Sequence, residues 1–118
     1  MPLMSLKQFR HNAEEIAGSL PTELFSRLNG GIIVEPSIRE DGDYVIMGEY
    51  LEDPGLGNLI ILYYGSFREM LGSAPFEEWN EEIRETMIHE LRHHVESLAG
   101  VEDLSVEEDQ VLREESSA

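Results

Sequence analysis

The order of helical and strand-like segments predicts an α+β fold with a small, mostly antiparallel, three-stranded sheet. Two amphipathic segments come first, three short segments rich in β-branched and aromatic residues follow, and one long helical segment comes last. Helices grouped at the two ends of a run of strands pack as a layer on the sheet. A chain of 118 residues suits one core, so we predict a single domain over 1–118 with a frayed tail at 114–118.

The first two elements are predicted to be helices. Ser5 is a suitable N-cap for a helix up to Ala17, in which apolar residues recur at spacings of three and four. A second, shorter helix is predicted from Pro21 to Leu28, because proline suits the first helical turn. Asn29-Gly30-Gly31 then ends the helical region.

Three strands are predicted from the apolar segments Ile32–Glu35, Tyr44–Tyr50 and Asn58–Tyr64, of which the last is the most hydrophobic. The loop Glu52–Gly57 contains Pro-Gly, which is a strong turn signal. It is long for a hairpin connection, and we therefore consider it a candidate to fold over a site.

A short helix is predicted over residues 65–71, followed by the longest element of the chain. Pro75 suits the first turn of this long helix, and the glutamates that follow it suit the positive helix end. Gly100 is the predicted end. A last short helix is predicted over residues 101–113.

The long helix contains His89-Glu90-Leu91-Arg92-His93, which is the His-Glu-x-x-His signature of zinc hydrolases. Two histidines four residues apart lie on one helix face, so both imidazoles can reach one metal ion. Glu90 lies about 100° round the helix from His89. There it can take a proton from an attacking water without being a metal ligand.

The helical wheel supports a functional interpretation of these residues. His89, His93 and Glu96 share one polar face, whereas the aliphatic side chains Met87 and Leu91 lie on the opposite face. The plain alternative is a pair of solvated histidines, but composition predicts only about 0.02 chance matches to the motif. His94 points towards the apolar face, so we predict a buried, hydrogen-bonded histidine there and not a ligand.

Composition limits the classes of partner. The net charge is −17, with 25 acidic and 8 basic residues, which argues against binding nucleic acid or an anionic membrane surface. It favours cationic partners and divalent cations, although a solvated acidic coat is the plain alternative. The chain has no long apolar run, no signal-peptide pattern and no cysteine, so we expect a cytoplasmic protein without disulfides or thiolate ligands.

The order of elements, together with His89-Glu90-Leu91-Arg92-His93-His94, resembles the zincin-like metallopeptidase family of small bacterial proteins. The resemblance implies a minimal zincin fold, one zinc ion on the two histidines, and Glu90 as the catalytic base. It also implies a peptide substrate that lies along a sheet edge. In zincins the pairing strand precedes the active-site helix, which makes 58–64 the candidate here.

The third metal ligand is where this sequence departs from part of that family. Some members resemble a His-Glu-x-x-His-x-x-Gly-x-x-Asp pattern, but here Glu96 and Ala99 stand at the glycine and aspartate positions. Glu96 lies on the ligand face, so it is the predicted third ligand, with hydrogen bonding to a ligating imidazole as its alternative role. Asp103 is the second candidate and requires the chain to fold back after Gly100. Further candidates are Glu107, Glu108 and Asp109.

Zinc-dependent peptide hydrolysis with Glu90 as general base is therefore the predicted function. One alternative is a catalytically weak or inactive metal-binding domain with a regulatory or interaction role. Another is an acidic interaction module in which the motif is accidental. Tyr63 and Tyr64 are candidates to donate a phenol hydrogen bond to a developing oxyanion, although packing of at least one of them in the core is the simpler interpretation.

Overall fold

The computed structural model describes residues 3–102, and it has the α+β architecture that the sequence predicts. The predicted tail at 114–118 and all but the start of the predicted last helix lie outside these residues. The helices are α1 (Leu6–Ser19), α2 (Tyr64–Leu71) and α3 (Phe76–Glu102), with one 3-10 turn at Thr22–Phe25. The strands are β1 (Gly31–Glu35), β2 (Glu40–Asp41), β3 (Tyr44–Val45), β4 (Gly48–Asp53) and β5 (Gly57–Tyr63).

The main sheet is mixed, with the strand order β1-β5-β4. Strand β5 pairs in parallel with β1 and antiparallel with β4, so the prediction of a mostly antiparallel sheet was wrong for one of the two pairings. Hydrophobicity explains why β5 is the central strand. Because β5 is the most apolar strand, it is inserted between the other two, where both of its backbone edges are hydrogen-bonded.

The predicted second strand is divided in two. Tyr44–Val45 pairs with Glu40–Asp41 in a separate small hairpin, and Gly42 has the positive φ of 63° that its turn requires. The strand that joins the main sheet begins only at Gly48.

The loop between β4 and β5 is a tight hairpin turn, so the expectation that it folds over a site was wrong. Asp53 pairs with Gly57 at the end of the ladder. The Asp53 carboxylate accepts hydrogen bonds from the backbone N–H groups of Gly55, at 2.8 Å, and Leu56, at 2.7 Å. These bonds close the turn locally and leave no free segment to cover a groove.

The core lies between the helices and one face of the sheet. Phe9 of α1 is fully buried and packs edge-on or tilted against Tyr64, Phe67 and Trp79. Ser5 caps α1 as predicted, because its side chain accepts a hydrogen bond from the Gln8 N–H at 3.1 Å. None of the helices within residues 3–102 combines the length and apolarity needed to cross a membrane.

Predicted helix boundaries differ from the structure in three helical segments. Helix α1 continues past Ala17 to Ser19. The segment from Pro21 to Leu28 forms only the four-residue 3-10 turn, because Ser26 has a non-helical ψ of 129° and Arg27 has a positive φ of 64°. Helix α3 continues past Gly100 to Glu102. A glycine inside a helix costs about 1 kcal/mol relative to alanine, which the rest of a 27-residue helix tolerates.

Candidate functional site

A groove separates the polar face of α3 from strand β4. We call it the α3–β4 groove. Its wider part has a volume of about 850 Å³, and a shallower part of about 280 Å³ continues past Glu90 and Gly48. His93 borders the wider part, His89 borders the shallower part, and Glu90 borders both. The other side chains that line the groove include Glu49, Tyr50, Leu51, Glu52, Glu96 and Ser97 in the wider part and Glu82, Glu85 and Thr86 in the shallower part.

The two histidines of the motif converge on one point. The Nε2 atoms of His89 and His93 lie 3.2 Å apart, and the ring planes are nearly perpendicular, at 89°. Two nitrogens that each bind one tetrahedral zinc ion at about 2.0–2.1 Å are expected to be separated by about 3.3 Å. The spacing of this pair therefore fits two ligands of one ion.

The electrostatic surroundings of His89 favour its neutral form. Desolvation lowers its pKa most, and the nearby His93 and Arg92 lower it further. Only the neutral imidazole can bind a metal ion. The Glu96 carboxylate opposes this shift, but it does not reverse it.

Glu90 is the one carboxylate of the motif, and it is only 8% exposed. Burial and the nearby Glu49 carboxylate raise its pKa to about 7, while a hydrogen bond from the backbone N–H of Tyr50 opposes the rise. A group with a pKa near neutrality can both accept and release a proton at neutral pH. Its environment is therefore suited to general acid–base chemistry.

Glu96 lies beside the histidine pair, but its nearest ring nitrogen is Nδ1 of His93. That distance is 4.0 Å, and this nitrogen is not the one that faces His89. Within residues 3–102, no three His, Cys, Asp or Glu side chains gather as a metal-binding cluster. Asp103, like the further candidates Glu107, Glu108 and Asp109, lies outside the described residues. The identity of the third ligand stays a prediction.

Strand β4 provides the open edge of the sheet beside this pair. The Tyr63 N–H donates to the Met47 carbonyl at 2.9 Å. Because hydrogen-bonded and free positions alternate in an antiparallel ladder, the backbone groups of Gly48, Tyr50 and Glu52 point away from β5. The expectation that residues 58–64 form the substrate-pairing edge was wrong, since β5 is central and hydrogen-bonded on both sides.

His94 is fully buried and hydrogen-bonded, which confirms the prediction made for it. Its Nε2 lies 2.6 Å from the carbonyl oxygen of Ser26, and its Nδ1 lies 2.9 Å from the hydroxyl of Tyr50. Sequence analysis assigned no role to Tyr50 or Glu49. Both belong to β4, and no spacing within the sequence shows that β4 lies against α3.

Both tyrosines considered for oxyanion stabilisation donate their phenol hydrogen bond elsewhere. The Tyr63 hydroxyl donates to Glu49 at 2.7 Å, and the Tyr64 hydroxyl donates to the Met4 carbonyl at 2.6 Å. Burial and Glu49 raise the pKa of Tyr63 to about 12. Tyr64 packs against Phe9, which confirms the core interpretation for this residue.

The comparisons with known proteins bear on the fold and on the family. The solved structure of a conserved hypothetical protein from Thermo thermophilus is similar, with 35% identity and a TM-score of 0.72. The match covers 81% of this chain and 98% of that one. No curated protein matches. The family description "Zincin-like metallopeptidase" matches residues 43–112, which is more than half of the 118 residues. This chain therefore belongs to the zincin-like metallopeptidase family.

Proposed function

We propose that this protein hydrolyses peptide bonds, with one zinc ion held by His89 and His93 and with Glu90 as general base. The observation that carries the proposal is the 3.2 Å separation of the two Nε2 atoms in a groove that also contains a carboxyl group with a pKa of about 7. Either Glu96 or Asp103 completes the ligand set in this proposal.

The role of each group follows from its chemistry. Zinc, when bound, polarises the scissile carbonyl and makes water more acidic. Glu90 accepts the proton of the attacking water and then donates it to the leaving amine. In this proposal the backbone N–H of Tyr50, which points away from β5, holds the carboxylate during both transfers.

The substrate is held as an extended peptide along β4. The outward backbone groups of Gly48 and Glu52 are available to pair with it, since strand addition to an open edge uses main-chain hydrogen bonds. The groove beside this edge is open enough to accept alternate side chains of such a peptide. Strand pairing gives affinity for peptides in general, so sequence preference depends on the groove walls.

The test combines metal analysis with the Glu90→Gln variant, in protein purified without a histidine tag. We expect about one zinc ion per chain in both proteins, because Glu90 is not a ligand. Peptide cleavage should fall by about 100-fold or more in the variant, which is the usual range for loss of a general base. Glu78→Gln is the matched control, since it removes an exposed carboxylate from the same helix. Undiminished cleavage by zinc-loaded Glu90→Gln would refute the proposed role.

One observation favours a second candidate function. Because no third ligand gathers at the histidine pair within residues 3–102, a catalytically weak or inactive metal-binding domain fits the same geometry. Stoichiometric zinc without cleavage of any member of a broad peptide library would support this second candidate over the first.

A further inference from the structure

We propose that the hydrogen bond between Tyr50 and His94 positions Glu90 by fixing the edge strand β4 against helix α3. Tyr50 and His94 are then positioning residues, and neither needs to touch the substrate. The inference rests on the proposed function for the role of Glu90 as general base. Its structural part, the link from the phenol to the Glu90 carboxylate, can be tested without catalysis.

The hydrogen-bond roles at His94 follow from its partners. The Ser26 carbonyl oxygen can only accept, so Nε2 of His94 carries the hydrogen in their 2.6 Å contact. A neutral imidazole protonated at Nε2 presents Nδ1 as an acceptor. The Tyr50 hydroxyl therefore donates to Nδ1 at 2.9 Å. With His94 fully buried, this arrangement leaves neither ring nitrogen without a partner.

Tyr50 contacts α3 at two points that are one helical turn apart. Its hydroxyl lies 2.9 Å from Nδ1 of His94. Its backbone N–H points away from β5 into the groove that Glu90 also lines, four residues earlier on the same helix, and this N–H lowers the pKa of the Glu90 carboxyl group. The two rings also pack, with centroids 5.3 Å apart. Since the phenol is fixed on one turn of α3, the backbone N–H of the same residue is held opposite the next turn, where Glu90 lies.

The Tyr50 hydroxyl also has a longer contact with Glu52, which does not replace its hydrogen bond to His94. The Tyr50 oxygen lies 3.3 Å from Oε2 of Glu52, but that carboxylate also accepts from the Ser97 hydroxyl. The hydroxyl has one hydrogen to donate, and the acceptor at Nδ1 of His94 is closer. Glu52 and Ser97 connect β4 to α3 further along the groove, so loss of the phenol is expected to loosen β4 locally and not to release it.

The test is Tyr50→Phe, which keeps the aromatic ring and removes the hydroxyl. In metal-free protein, amide hydrogen exchange measured by NMR should show residue 50 protected in the wild type, unlike the edge amides of Gly48 and Glu52. Exchange at residue 50 should become at least about tenfold faster in the variant. The Glu90→Ala variant gives the exchange rate of the residue 50 amide when the Glu90 carboxylate is absent.

Catalysis provides the second readout. In zinc-loaded protein, Tyr50→Phe should lower kcat about tenfold and change KM less than about twofold, because the base is displaced while the groove stays open. Tyr64→Phe is the matched control. It also removes a partly buried phenol hydrogen bond, from the hydroxyl to the Met4 carbonyl, but in the core, and it should leave kcat unchanged. His94→Gln should reproduce the Tyr50→Phe effect, and the double variant should add little to either.

The outcomes separate this inference from the proposed function. Unchanged exchange at residue 50 in Tyr50→Phe would overturn the inference, and so would an unchanged kcat in a protein that cleaves peptides. If no variant and no wild-type protein cleaves any peptide, the proposed function fails. The exchange rates then still decide whether the phenol positions the Glu90 carboxylate.

Discussion

At the scale of single residues, α3 shows what helical spacing can and cannot predict. The convergence of His89 and His93 and the burial of His94 follow from the period of one helix, so both were accessible to sequence analysis. The raised pKa of Glu90 was not, because it depends on Glu49 and on burial against another element. Contacts between elements depend on strand order and register, which no local pattern contains.

Tyr63 gives the residue-scale prediction, which concerns stability against pH. Its hydroxyl donates to Glu49, and its pKa of about 12 lies above the ordinary value of 10.0. The folded state therefore holds this proton more tightly, so the stabilisation is complete below pH 10 and is lost as the pH rises towards 12. Tyr63→Phe should cost about 1–2 kcal/mol in urea unfolding at pH 8. The loss of stability in Tyr63→Phe should be smaller at pH 11 than at pH 8. A loss that grew with pH would contradict a raised pKa for Tyr63.

At the scale of elements, the sequence predicted the long helix, its polar face with His89 and His93, and the most apolar strand, but not the strand order. The predicted strand Asn58–Tyr64 is the most hydrophobic and corresponds to β5, yet the insertion of β5 between β1 and β4 makes β4 the open edge. The hydrophobicity that made this strand easy to find is also why it is central. Strand β4 is less apolar than β5 and lies at the edge of the sheet, beside α3.

Gly48 allows β4 to approach α3, and this gives the element-scale prediction. A Cβ added at this position would lie 2.7 Å from Cγ2 of Thr86 and 3.2 Å from the Ile61 carbonyl oxygen. Gly48→Ala should therefore move β4 away from the helix and lower the free energy of unfolding by about 1–3 kcal/mol. Thr86→Ser removes the closest methyl group, so the double variant should recover part of that loss in thermal unfolding. If the effects of Gly48→Ala and Thr86→Ser on stability are strictly additive, contact between residues 48 and 86 is not the cause of the loss.

At the scale of the whole molecule, the charge of −17 and the histidine pair differ in the cations that they favour. The acidic surface attracts cations of any kind, and salt screens this attraction. Two imidazole nitrogens 3.2 Å apart instead prefer a metal ion such as zinc to the hard cations that carboxylates bind. Metal binding at moderate ionic strength therefore distinguishes the site from the acidic surface.

The most direct test of the zinc proposal is calorimetric titration of untagged, metal-free protein with zinc at about 0.15 M salt, where surface attraction is largely screened. The wild type should bind one ion per chain and unfold at a higher temperature when loaded, since a ligand of the native state stabilises it. His89→Gln and His93→Gln should each lose this tight binding and the rise in melting temperature. Equal zinc affinity and stoichiometry in the wild type and in both variants would contradict the claim that these two histidines hold the metal.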